Sequence, residues 1–246
     1  MKVVLFCGGF GMRMGKFFQN KSEFFENNPK PMLMIGSKPI LWHLMKYYAH
    51  FGHKDFILCL GYKAESIKEY FKINNDYFSD WNIQLVDTGL NTKIGQRLFS
   101  VKSYLKDDDV FMVNYTDGLS DVNLNAYLDY FIKHDKVASL LSVKAPLGFH
   151  HVISNNNGIV ESIKDGLGNY DLRINAGFFI FKNEFFNYFK DGEELVDEPF
   201  ERLIRQGQLI SYMYDGFWKN IDNYKDKIEI DEMYEKNNSP WILWED

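Results

Sequence analysis

Residues 2–13 read KVVLFCGGFGMR, and that stretch decides the fold. Val3–Cys7 is a short β-favouring apolar run that reads as a buried strand, and it ends directly in glycines. Gly8, Gly9 and Gly11 let a backbone come close to a phosphate and offer it N–H donors, while Arg13 adds a cation. No Gly-Lys-Ser/Thr follows, so this is not a Walker loop. The G-G-x-G spacing with an arginine is not a dinucleotide fingerprint either. Taken alone, the run also fits a plain strand-to-helix turn.

Working outward, strands alternate with helices. Pro39 to Phe51 carries Ile40, Leu41, Leu44, Met45 and Tyr48 on one helical face, and Asp55–Leu60 is the next strand. Glu65–Phe71 reads as a short amphipathic helix, Ile83–Val86 as a strand, Gln96–Leu105 as a helix and Val110–Val113 as a strand. Parallel strands need helical crossovers, so the expected fold is α/β, a doubly wound, mostly parallel, Rossmann-like sheet. Its ligands sit beyond the strands' C-terminal ends, which puts the residues after Cys7, Leu60, Val86 and Val113 on one rim. After about residue 140 shorter runs follow: Val137–Val143, His151–Ser154, Ile159–Ile163, Ile174–Phe181 and Leu209–Tyr214. Helices are expected around Glu184–Phe189 and Pro199–Arg205. These predict a smaller C-terminal sheet and helix extension of a single domain over 1–246, with the core at 1–140 and the extension at 141–246. The polar segment Phe17–Asn28, built around two Phe pairs, fits a lid.

Composition narrows the function classes. With 246 residues, 46% hydrophobic and 17% aromatic, the chain has ample apolar material for a folded core. A net charge of −6 gives no basic surface for nucleic acid or an anionic membrane. The two cysteines, Cys7 and Cys59, both in apolar stretches, exclude a disulfide framework or a zinc site. Val3–Cys7 is too short for a secretory h-region, and no apolar run approaches the ~18 residues of a membrane span. A cytoplasmic location is expected.

Three more pieces carry chemistry. Pro29-Lys-Pro-Met32 fixes Lys30 between two prolines, although a solvated loop lysine is the alternative. Tyr115-Thr-Asp-Gly118 follows a strand and sets Asp117 on the glycine-loop rim, where a carboxylate suits Mg²⁺; an Asp-Gly turn is the plain reading. Asp222 lies in an aromatic setting where an unpaired charge would be costly and a metal would resolve that cost. His150–His151 point to opposite faces of a strand and make poor joint ligands. His43 reads as a packing residue, Asp107–Asp109 as a solvated turn and the Glu65, Lys68 and Glu69 group as a helix face. No Ser-His-Asp arrangement can be argued from spacing.

In combination these motifs resemble the sugar-nucleotide nucleotidyltransferases, and over nearly the whole length the chain looks most like the glucose-1-phosphate cytidylyltransferase family. The resemblance rests on Gly8-Gly-Phe-Gly-Met-Arg13, Pro29-Lys-Pro-Met32, Gly36-Ser-Lys-Pro-Ile-Leu-Trp-His43, Gly61-Tyr-Lys63, Ile67-Lys-Glu-Tyr-Phe71, Leu85-Val-Asp-Thr-Gly89, Asp117-Gly118, Gly216-Phe-Trp218 with Asp222, and Pro240-Trp-Ile-Leu-Trp-Glu245. It implies that a phosphate oxygen of an acceptor attacks the α-phosphorus of CTP and pyrophosphate leaves. Asp117 and Asp222 would hold Mg²⁺, Arg13 would brace the leaving phosphates and Lys30 would neutralise the α-phosphate. Cys7, Gly8, Gly9, Gly11, Thr88, Gly89, Gly95 and Gly118 would surround the nucleotide. Homo-oligomers are common in the family, and the aromatic content permits one.

The departures lie on the acceptor side. Met12 stands where the family has Thr. The family's Glu-Lys-Pro is absent from Ser162–Leu167, which leaves Lys164 displaced by two positions, and its Arg-Phe-Gly becomes Gly148-Phe-His150. Asn175-Ala-Gly-Phe-Phe179 and Glu198 survive. Losing a lysine and gaining an imidazole predicts a small phosphorylated acceptor other than a hexose. L-glutamine phosphate fits best, as in the CTP:phosphoglutamine cytidylyltransferase branch, which serves capsular polysaccharide. His150, Lys164, Arg173, Asn175 and Glu198 would be the acceptor set. The alternatives are glucose 1-phosphate as acceptor, or an inactive nucleotide-binding subunit. The latter would be expected to lack Arg13, Lys30, Asp117 or Asp222, and all four are present.

Overall fold

A computed structural model describes residues 1–10, 28–145, 150–155, 157–165 and 172–245. The chain begins with β1 (Lys2–Phe6), a 3-10 turn at Lys30–Met32, β2 (Met34–Ile35), β3 (Lys38–Pro39), α1 (Ile40–His50), β4 (Asp55–Leu60), α2 (Ala64–Ile73) and β5 (Asn82–Asp87). It continues through α3 (Ile94–Ser100), β6 (Val110–Asn114), β7 (Gly118–Ser120), α4 (Leu124–His134), β8 (Ala138–Lys144), β9 (His150–Ser154), β10 (Val160–Asp165) and β11 (Arg173–Lys182). α5 (Glu198–Arg205), β12 (Leu209–Tyr214), β13 (Trp218–Asn220) and α6 (Tyr224–Glu235) close it.

Seven strands form the central sheet in the order β12-β8-β11-β6-β1-β4-β5. β1 pairs in parallel with β4 and β6, β4 with β5, and β8 with β12; only β11 runs antiparallel to its neighbours in this sheet. The mostly parallel α/β architecture read from residues 2–13 is the one observed, and Val3, Val4, Leu5 and Cys7 are wholly buried, as strands covered on both faces must be. α1, α2 and α4 pack on one face through Leu41, Tyr48, Ile67 and Tyr127. α3 and α5 cover the other through Leu98, Phe200 and Leu203. A third, separate cluster of Leu33, Ile35, Ile40, Leu119, Ile221, Ile230 and Trp241 lies off the sheet.

Some elements differ from the sequence reading. The helix expected over Gln96–Leu105 stops at Ser100 and continues as a 3-10 turn at Lys102–Leu105; the Ser100 hydroxyl donates back to Gln96 O at 2.8 Å and competes with the helical ladder. The helix expected at Glu184–Phe189 is a 3-10 turn at Asn183–Asn187. α4 and α6 are additions, each started by an asparagine side chain that accepts a first-turn N–H. α6 buries only Ile230, so its apolar pattern is faint.

Candidate active site

The rim is built where β1, β4 and β5 end. Cys7 N–H donates to Cys59 O and Tyr62 N–H to Gly8 O, which ties the glycine turn to the end of β4. Burial pushes the Cys7 thiol well above its ordinary range and Cys59 to about 12, so both stay protonated structural residues. Gly8 and Gly9 follow; Gly11, Arg13 and the 17–27 part of the expected lid lie outside the described residues.

A buried arginine that the sequence reading did not single out organises this rim. Arg97, on α3, is 2% exposed. Its guanidinium donates to Leu60 O (3.0 Å), the Thr88 hydroxyl (2.7 Å), Gly89 O (2.8 Å), Gly8 O (3.0 Å) and Leu90 O (3.3 Å). Every one of these acceptors is neutral, and burial lowers the guanidinium's affinity for its proton. The close approach explains two glycines: a Cβ on Gly8 would lie 2.2 Å from Arg97 Nη1, and one on Gly61 2.6 Å from it. Thr88 and Gly89 stand here, with Thr88 Oγ1 donating to Leu60 O. Gly95 faces elsewhere: its missing Cβ makes room for the 189–195 segment, 2.5 Å from Glu193 O, so its smallness has a packing cause. Arg97 could have been found from the spacing of Ile94, Arg97, Leu98 and Val101, a charge on the apolar face of a helix.

The chemistry-bearing residues converge. Lys30 Nζ donates to Asp117 Oδ2 and to Asp222 Oδ1, each at 2.8 Å. All three side chains are largely buried, at 16%, 29% and 29% exposure. Asp117 follows Thr116, a β-branched residue held at φ +64°. That left-handed turn costs of order 1–3 kcal/mol. Thr116 N–H donates to Asn114 Oδ1 and its hydroxyl to Phe6 O, which hold it in place. Gly118 pairs with Asn220 across the β7–β13 ladder, and Trp218 Nε1 lies 3.1 Å from where a Cβ on Gly118 would be. Asn220 Nδ2 donates to Asp222 Oδ2 at 2.8 Å, so both carboxylate oxygens are oriented.

Carboxylates from different elements that share one ammonium have a common point within reach of both. Mg²⁺ takes oxygens at about 2.0–2.1 Å and keeps several waters and phosphates, so two protein carboxylates fit it. Among the described residues no cluster of three or more His, Cys, Asp or Glu gathers to make a closed cage.

The residues expected to take the acceptor are less convergent. Arg173 donates to Asp215 at 2.8 Å and to Tyr214 O at 3.3 Å, and it holds the exposed Asp215 carboxyl below its ordinary range. Asn175 Oδ1 accepts Gly177 N–H, and Glu198 Oε2 accepts Glu194 N–H at the start of α5. His150 and Lys164 belong to the β9–β10 ribbon, opposite Asp165 and His151; their side chains lie outside the described residues. A cleft of about 290 Å³ lies between Lys144, Tyr214, Asp215, Trp218 and Asn220, adjoining Asp222 through Asn220.

No family profile matches the chain. It is 35% identical over 265 aligned residues to the glucose-1-phosphate cytidylyltransferase of Salmonella typhimurium, covering 100% of both chains, and equally so to that of Salmonella typhi. A solved UDP-glucose pyrophosphorylase in complex with UDP-glucose superposes with a TM-score of 0.71 at 15% identity, covering 96% of this chain and 98% of that one, a likeness of fold.

Proposed function

The chain belongs to the glucose-1-phosphate cytidylyltransferase family of sugar-nucleotide nucleotidyltransferases, and on that footing we propose that it transfers the cytidylyl group of CTP to a phosphorylated acceptor, releasing pyrophosphate. The observation that carries the reading is the pair of carboxylates, Asp117 and Asp222, bound to the one ammonium of Lys30 at the strand-end rim. The acceptor's phosphate oxygen forms the new bond to the α-phosphorus as the bond to the β-phosphate oxygen breaks, so no protein nucleophile is needed. The protein positions the groups and neutralises charge. Mg²⁺ held by Asp117 and Asp222 would supply charge neutralisation for the triphosphate when bound. Lys30, beside both carboxylates, would neutralise charge at the α-phosphate, and Arg13 would brace the leaving phosphates. Gly8, Gly9, Gly11, Thr88 and Gly89, with the carbonyls that Arg97 fixes, hold the nucleotide.

For the acceptor, the full-length likeness to glucose-1-phosphate cytidylyltransferases favours glucose 1-phosphate and a CDP-glucose product. This displaces L-glutamine phosphate from first place. That second reading keeps one support, the missing Glu-Lys-Pro and the imidazole of His150 in the acceptor half. The proposal includes a homo-oligomer, which light scattering would test. Phosphate-coupled pyrophosphate release, with CTP and either acceptor, decides between them. A kcat/KM at least tenfold higher for glucose 1-phosphate is expected; the reverse preference would install the amino-acid acceptor. No release with either acceptor, at saturating Mg²⁺, would sink the transfer itself.

A further inference from the structure

The third hydrophobic cluster touches the segment of every residue in the carboxylate–lysine group. Leu33 N–H donates to Lys30 O, Leu119 lies two residues after Asp117 and Ile221 immediately precedes Asp222. The carboxylate segments are already fused to each other, because Ile221 N–H donates to Asp117 O at 2.9 Å and β13 pairs with β7. Among the described residues Lys30 has no such ladder to them. Its segment continues into β2, whose Ile35 is wholly buried in the same cluster.

Trp241, from the chain's last turn and 1% exposed, contacts both sides. Its ring stacks on Phe217 at 5.7 Å and 28°. Phe217 O accepts the Ser120 hydroxyl and Asp121 N–H, so it belongs to the carboxylate side. On the other side Trp241 Nε1 donates to His43 Nδ1 at 3.4 Å, and His43 Nε2 meets Ile35 O at 3.1 Å. A carbonyl only accepts, so His43 carries its proton on Nε2 and offers Nδ1 to the indole. The chain of contacts runs Phe217, Trp241, His43, Ile35.

We infer that Trp241 is a positioning residue for the metal and α-phosphate site, setting how far the Lys30 segment stands from Asp117 and Asp222. The inference rests on the function proposed above. A shift of about 1 Å imposed from outside the reacting atoms can cost ~10²-fold in rate, so loss of the indole N–H is expected to register at the site.

The test is Trp241→Phe, which keeps a ring on Phe217 but removes the donor to His43, beside Leu203→Ala, which opens the core far from this cluster. Mn²⁺ binding in the presence of α,β-methylene-CTP is followed by electron paramagnetic resonance, and steady-state rates are taken well below both melting points. Trp241→Phe should weaken Mn²⁺ about five- to tenfold and lower kcat about tenfold or more, leaving the KM for the acceptor unchanged. Leu203→Ala should lower the melting point and leave Mn²⁺ affinity at the wild-type value. Wild-type Mn²⁺ affinity and kcat in Trp241→Phe, or equal losses in both variants, overturn the inference while the proposed function stands. A wild-type protein that binds no Mn²⁺ overturns the carboxylate-pair reading, and the inference falls with it.

Discussion

The rim around Lys30 and the cleft beside Arg173 use the same kinds of side chain to different ends. At the rim, one ammonium holds two carboxylates from distant segments, each carboxylate sits next to a short β-pairing, and a buried arginine fixes the carbonyls alongside. Beside the cleft, Arg173 is paired with a carboxylate that is 59% exposed, and elsewhere Glu198 accepts a backbone N–H from Glu194, in the loop just ahead of its helix. Reacting atoms that are common to many nucleotidyl transfers need fixed geometry. The group that distinguishes one acceptor from another can sit on side chains whose present partners are weak and replaceable.

The largest effect should come from the rim. Asp117→Asn and Asp222→Asn are each expected to lower pyrophosphate release by about 10³-fold or more. Little change in melting point is expected for Asp117→Asn, whose amide oxygen still accepts from Lys30, and a lower one for Asp222→Asn, whose amide NH2 must face either Lys30 or Asn220. Retention of a tenth of the activity by either variant would remove the metal role. Arg97→Lys comes next. An ammonium has three donors for the five acceptors a guanidinium reaches here, so urea unfolding should reveal a loss of about 2–4 kcal/mol together with a raised KM for CTP. A stable variant with unchanged KM would mean the carbonyls hold without it. The smallest effect should come from Arg173→Gln: a KM change for the acceptor of about threefold and none for CTP. The Asp215 carboxyl is depressed in the folded state, so the pair's contribution to stability is present above the ordinary aspartate range and is lost as pH falls through the folded value. Wild type and variant should therefore differ in thermal melts near neutrality and converge in acid. A larger effect on CTP than on the acceptor would erase the contrast between the two regions.

What the sequence made legible follows from how local each signal is. The buried strand Val3–Cys7, its glycines and the alternating elements after it are written within a few residues, and they yielded the sheet and its rim. Lys30, Asp117 and Asp222 could be singled out because prolines, a strand end and an aromatic setting lie beside them in sequence. Their convergence could not be read locally, since 87 residues separate Lys30 from Asp117 and 192 separate it from Asp222. Arg97 shares the apolar face of its helix with Ile94 and Leu98, a local signal, but the carbonyls it serves at residues 8, 60 and 89 lie on segments that only the fold gathers. Thr116 looks like an ordinary turn residue until its positive φ is seen. Glu198 and Arg173 were legible as acidic and basic candidates for the acceptor; the partner of Glu198 is local, the Glu194 N–H four residues earlier, whereas those of Arg173, Tyr214 and Asp215, lie in a segment that only the fold brings near.

The crowding around the buried guanidinium also fixes the order in which this scaffold can be re-engineered. A methyl group added at residue 8 or residue 61 would stand 2.2 or 2.6 Å from Nη1, far closer than van der Waals contact allows, so neither glycine can be the first to change. Trimming residue 97 would remove the two closest contacts at position 8, whereas position 61 stays closed by the Gly89 and Gly8 carbonyls, 2.7 and 2.8 Å from its missing Cβ. Randomising the glycines alone would mostly return misfolded protein.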